Sequence, residues 1–227
     1  MKKVFLFLAA GVMLFTACKP KETVLECNVD PDEVFGQHYT AADFQMWSVL
    51  NSDGAMYDTL KAQMQLPDTV KYGVSDPMGL FVALKDTAVV IAEARRVCDM
   101  VAGVDGHRYF PALMAWQDGT AWLMLLYGTA TPEGELSLID GTAIASAKAV
   151  RSVYAGAEAA FVFNSENVDR WASIMEENMD RCIAMTLGGR VLSAPRVTGV
   201  ITDGRCSVSG NYTDEEVCAL AAILNNK

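Results

Sequence analysis

The chain has 227 residues, 52% of them hydrophobic, with 28 acidic against 18 basic side chains and a formal net charge of −10. That length suffices for one large or two small domains. The acidic balance excludes a basic footprint for nucleic acid or anionic lipid, and its dispersal marks a solvated surface rather than a binding tail.

Met-Lys-Lys opens the sequence, followed by an apolar run from Val4 to Ala17. The run has the length of a secretory signal core and is too short for a permanent membrane span. It ends F-T-A-C, so residues 1–17 read as a lipoprotein signal peptide and Cys18 as the acylated new N-terminus, anchoring the chain to a membrane. Without Lys2 and Lys3, 16 basic side chains face 28 acidic ones, a net charge of −12. Residues 18–38 are polar, carry prolines and lack periodicity, as expected of a tether.

Residues 39–128 form the next unit. Thr40 with Asp43, and Met56, Leu60 and Met64 before Pro67, predict two short helices over 40–66. Leu80–Leu84 predicts a strand. Lys85-Asp86-Thr87 opens a helix with a buried stripe of Val90, Ala94, Val97 and Val101, with Gly103 as its cap. Two apolar runs, 112–116 and 121–127, flank Asp118-Gly119, a hairpin signal. Thr129–Glu135 reads as a loop and the main internal boundary, leaving 129–227 as the second domain.

In that domain, alanine content alone leaves 143–160 ambiguous between helix and strand. Phe161–Phe163 predicts a strand, and Asn164 or Ser165 caps a helix carrying Val168, Trp171, Ala172, Met175 and Met179 on one face. Ile183–Leu187 then turns through Gly188-Gly189 in a hairpin. The predicted register pairs Leu187 with Arg190, Met185 with Leu192 and Ile183 with Ala194, and Pro195 ends the ladder. A phosphate loop is excluded, because a strand rather than a helix follows the glycines. Residues 198–201 and 205–209 flank T-D-G as a second turn. Thr213 with Glu216 forms a capping box for a closing helix whose inner face is Val217, Leu220, Ala221 and Leu224.

Six cysteines occur, at 18, 27, 98, 182, 206 and 218. With Cys18 acylated, five remain, so one stays unpaired or pairs with another chain. A bond among Cys182, Cys206 and Cys218 fits the sequence, but the pairing is not assigned. No C-x-x-C occurs and only His38 and His107 are present, so neither a metal site nor a cofactor is expected. Asp86, Asp105, His107 and Asp140 are the polar residues near turns that invite a catalytic reading, but no nucleophile elbow, metal-binding helix or paired-carboxylate signature accompanies them. The expectation is a protein that is not an enzyme.

Four stretches carry a family resemblance. They are I-D-G-T-A-I-A-S-A (139–147), F-V-F-N-S-E (161–166), E-N-M-D-R-C-I-A-M-T-L-G-G-R-V-L-S-A-P (177–195) and S-G-N-Y-T-D-E-E-V-C-A-L-A-A-I-L (209–224). With their spacing kept, Ile139–Leu224 resembles the head of the first periplasmic domain of SecD and fused SecDF, accessory subunits of the bacterial Sec protein-export channel. Residues 85–90 and 110–116 resemble the preceding region of Bacteroidota-type SecDF proteins. The resemblance implies an α+β fold, an antiparallel-rich mixed sheet with helices packed on one face, and an extended 143–153. Gly188, Gly189, Ser193, Pro195, Gly210, Asn211 and Thr213 fall on its motif positions in structural roles. The family usually has Asp-Gly at 188–189, a threonine at Met175 and a glycine at Asp180.

Full family members continue into transmembrane helices that couple to protons, and this sequence carries no such segment before Lys227. The resemblance therefore implies a non-catalytic, lipid-anchored, periplasm-facing envelope module that binds polypeptide and contacts the Sec channel. The alternative is a structural or inhibitory lipoprotein that binds one folded envelope partner.

Overall fold

The computed structural model describes residues 22–75, 79–103, 105–115, 119–132, 134–153 and 156–226. Cys18 and the signal segment lie outside them. In chain order the strands are β1 (Thr23–Val24), β2 (Phe44–Val49), β3 (Tyr72–Ser75), β4 (Gly79–Ala83), β5 (His107–Ala115), β6 (Thr120–Thr131), β7 (Gly134–Leu136), β8 (Ile139–Asp140), β9 (Ile144–Ser152), β10 (Gly156–Phe163), β11 (Ile183–Leu187), β12 (Arg190–Ser193) and β13 (Arg205–Ser209). The helices are α1 (Pro31–Phe35), α2 (Ala55–Ala62), α3 (Thr87–Met100), α4 (Val168–Glu177) and α5 (Asp214–Asn225).

Among the described residues two sheets result, and every ladder is antiparallel, within the α+β class expected. The smaller runs β1-β9-β10-β13. The larger follows β12-β11-β2-β6-β4-β3, with β5 and β7 also on β6, and β8 on β2. Period-two alternation gives the larger sheet two apolar faces. On one face, Phe44, Met46, Ile183, Met185 and Leu187 meet Trp171 and Ile174 of α4 and Val217 and Leu220 of α5. Further along that face, Leu80, Val82, Leu123 and Leu125 meet Tyr57 and Leu60 of α2 and Val90, Ala94 and Val97 of α3. The opposite face curls on itself, so that β12 lies beside β5 and encloses Trp47, Val49, Ala112, Met124, Leu126, Ala184 and Val191.

The first predicted helix is absent. Thr40 and Asp43 do form a reciprocal cap, but it closes one 3-10 turn over 41–43. The chain then enters β2, the strand that joins β11 to β6. Both faces of β2 are buried, so its sequence F-Q-M-W-S-V shows no clean alternation. Of the stretch 143–153 that the family resemblance implied to be extended, 144–152 forms β9, and Ala143 closes the 3-10 turn before it. The predicted loop at 129–135 is instead the β6–β7 hairpin, with Thr131 paired to Gly134.

The stretch read as a tether is packed from Glu22 onward. Thr23 and Val24 pair with Arg151 and Val150, and Leu25, Val29, Phe35 and Tyr39 lie against the main core. Cys27 is disulfide-bonded to Cys218 of α5, 191 residues away, while Cys98, Cys182 and Cys206 are buried and form no disulfide. The bond among Cys182, Cys206 and Cys218 is therefore not formed.

Candidate functional site

Alternation in the small sheet separates two surfaces. Ala149, Ala157, Ala159, Phe161, Cys206 and Val208 face α5 and the core. The other face carries the register rows Val150–Glu158–Ser209, Lys148–Ala160–Ser207 and Ser146–Val162–Arg205. Toward the β9–β10 turn this face is covered, with Val150 and Ser152 buried, while Ser146, Lys148, Val162 and Arg205 toward the other end are exposed.

The two edges of this sheet differ. On β9, β1 pairs over Thr23–Val24, Leu25 N–H donates to Ala149 O at 3.0 Å, and the Asn225 side chain continues the edge. Its Nδ2 donates to Ala147 O at 2.9 Å, and its Oδ1 accepts from Ala147 N–H at 3.0 Å. On β13, Phe163 N–H donates to Gly204 O at 2.9 Å, which sets the phase of the ladder. Cys206 and Val208 therefore turn their backbone groups toward β10, and Arg205, Ser207 and Ser209 turn theirs outward. No strand among the described residues pairs with that edge. One edge is closed and the other is open.

Glu158 lies on the face opposite α5. Partial burial raises its carboxyl above the ordinary range, the Ser207 hydroxyl opposes the shift, and the charge of Glu22 adds to it.

The motif residues cluster beside this sheet. Gly188 and Gly189 have φ of 55° and 80°, the primed turn that hairpin twist favours. Leu187 opposes Arg190 as expected, but a bulge then shifts the register. Met185 faces Ser193 rather than Leu192, and Pro195 O accepts from Ile183 N–H at 3.1 Å. Ala194 consequently packs inside the curled sheet instead of on the α4 side. Gly210 leaves room for the Tyr212 ring, 3.0 Å from where a β-carbon would sit, and Asn211 is exposed. Tyr212 OH donates to Leu192 O, joining the 209–213 turn to the glycine hairpin. Burial pushes its phenol up to about 12, against the pull of Arg190. Thr213 accepts from Glu216 N–H at 3.2 Å and the Glu216 carboxylate accepts from Thr213 N–H at 2.9 Å, closing the box on α5.

The second predicted turn does not make a hairpin. Residues 198–201 form no strand, because Val197, Val200 and Ile201 pack on the core, and β13 goes to β10 instead.

Residues 131–226 match the family model for the SecDF P1 head subdomain. SecD of Sebaldella termitidis is 32% identical over 88 residues, 39% of this chain and 22% of its own length. SecDF of Thermus thermophilus is 27% identical over 89 residues, 39% of this chain and 12% of its own. The chain thus spans about a fifth or less of these curated relatives. Among solved structures, a membrane component SecDF that enhances protein export matches with a TM-score of 0.38 at 27% identity, covering 41% of this chain and 43% of that one. The open edge of the small sheet falls within the head-matching residues.

Two of the polar residues that invited a catalytic reading, Asp140 and Asp105, hold local turns. Asp140 accepts from Thr142 N–H at 2.8 Å and caps the 3-10 turn over 141–143. Asp86 ends the 3-10 turn that leads into α3 and makes no capping bond. Asp105 accepts from Tyr109 OH at 2.6 Å and His107 N–H at 3.1 Å. Burial raises its carboxyl, but those bonds outweigh it and hold the group below its usual range. The His107 ring meets Tyr127 edge-on at 5.2 Å. Sequence reasoning missed a buried polar staple. Ser48 Oγ donates to Asn178 Oδ1 at 3.0 Å, and Asn178 Nδ2 donates to Ile174 O at 2.8 Å, pinning the end of α4 to β2.

Proposed function

We propose that the chain is a non-catalytic module of the bacterial envelope, anchored by acylated Cys18 and facing the periplasm, that binds extended polypeptide in connection with protein export. The open β13 edge carries this reading. Outward N–H and C=O groups at Ser207 and Ser209 are what an incoming strand satisfies, while the N–H of Arg205 already donates to Asp203 Oδ1 at 3.2 Å. Similarity to the SecDF head supports the link to export, and contact with the Sec channel belongs to the same proposal.

The test is binding of a carboxymethylated, permanently unfolded polypeptide to the intact protein. Ser207→Pro removes an outward N–H from β13 while leaving the β10 ladder bonds in place. Loss of binding with unchanged circular dichroism is expected. Unchanged binding would sink the edge, and capture of one folded envelope protein instead would favour the alternative of a structural or inhibitory lipoprotein.

A further inference from the structure

We infer that the β9–β10 hairpin end of the small sheet is the face held against the lipid bilayer. The inference rests on the anchor at Cys18 proposed above. β1 runs antiparallel to β9, with Thr23 opposite Arg151 and Val24 opposite Val150. Followed toward its N-terminus, the chain therefore heads for Ser152 and the hairpin that joins β9 to β10. Cys18 precedes Glu22 by four residues. Even fully extended, four residues reach about 14 Å, so the acylated cysteine cannot lie far from this end.

Two side chains at this end have the chemistry of the contact. Val153 is 79% exposed and Val24 is 58% exposed. Charge is close to balanced at this end: Arg151 is paired with Asp214, and Lys19 and Lys21 of the tether stand against Glu22, Glu158 and Glu215. The contact is thus a short tether with a small apolar tip, and it suits zwitterionic lipid as well as anionic lipid. The far end of β10, with Val162, Phe163 and the turn to α4, lies about 24 Å away along the strand and faces the aqueous side. The open β13 edge then runs away from the membrane rather than along it.

The acylated protein in nanodiscs of phosphatidylcholine carrying a gadolinium-chelating headgroup tests this geometry through methyl relaxation. Intact mass, with Cys18→Ser as control, first reports whether the diacylglycerol is present, and its absence would refute the anchor itself. With the anchor present, Val24 and Val153 methyls should relax at least about fivefold faster than Val168, given that separation. Inserting about 20 Gly/Ser residues between Lys21 and Glu22 should abolish the contrast between these methyls and Val168, because a flexible linker of that length frees the orientation while keeping the domain near the membrane. Equal enhancement at Val153 and Val168 without the insertion, or a contrast that survives it, would overturn the orientation while leaving the anchor standing.

Discussion

The ring of Tyr39 fills the space that a β-carbon on Gly188 would need. An ideal β-carbon there would sit 2.4 Å from Tyr39 Cε1 and 2.9 Å from its hydroxyl, and Gly188 also has a positive φ. Gly188→Ala combines both penalties and should cost about 2 kcal/mol. Gly189 has φ of 80° but open space around it, so Gly189→Asn should cost only a few tenths, about 0.5 kcal/mol at most. Urea denaturation of the two variants checks the contrast. Equal losses would mean that Tyr39 moves aside freely.

The Cys27–Cys218 bond closes a loop of nearly the whole domain and holds the arm that protects the β9 edge. Chain entropy assigns such a cross-link about 5 kcal/mol. Cys27→Ser should lower the denaturation midpoint to that of the reduced wild type. It should also expose the amide of Leu25, which now donates to Ala149 O. Hydrogen exchange at Leu25 that stays slow after reduction would show that the arm holds without the bond.

Glu158 gives a pH dependence with a definite sign. Its folded-state pKa is raised, so ionisation is harder in the fold than in the unfolded chain. The resulting loss of stability is absent when both states are protonated. It develops as pH rises through the ordinary carboxylate range and is complete above the folded value. Glu158→Gln should therefore raise the melting temperature at about pH 7 and leave it unchanged at about pH 3. A gain at the lower pH as well would point to packing rather than charge.

Much of the C-terminal architecture was legible because its signals are local. The Gly188-Gly189 turn, the Thr213–Glu216 box and the stripe through Trp171 and Met175 each fall within a few residues. What failed needed tertiary information. Nothing within β2 says that both of its faces are covered, so the Thr40–Asp43 cap was extended into a helix that is not there. The bulge opposite Met185 leaves no mark in an otherwise regular hairpin sequence. Cys27 and Cys218 are too far apart in sequence for spacing to pair them. The candidate surface was hidden for a related reason. Alanine and serine on 144–160 carry a helical propensity that pairing in the sheet overrides, and the openness of β13 depends on which strand it pairs with.

Asp180 shows a departure from the family pattern that has a structural cost. It is the one non-glycine residue with positive φ, 63°, among those described, at the position where the family resemblance places a glycine. Its N–H donates to Val197 O at 2.9 Å, which holds the turn after α4 in that conformation. Its carboxylate gives little in return, since Arg196 lies 4.0 Å away and both side chains are more than half exposed. A left-handed conformation is unfavourable for a residue with a β-carbon, although aspartate tolerates it better than most. Glycine removes that penalty but loses more entropy on folding. Asp180→Gly should therefore stabilise the domain by about 0.5 kcal/mol, and Asp180→Val, β-branched, should destabilise it by about 2 kcal/mol. Thermal unfolding of the pair reads both signs. Stability lost in the glycine variant would show that the Asp180 side chain holds the turn rather than straining it.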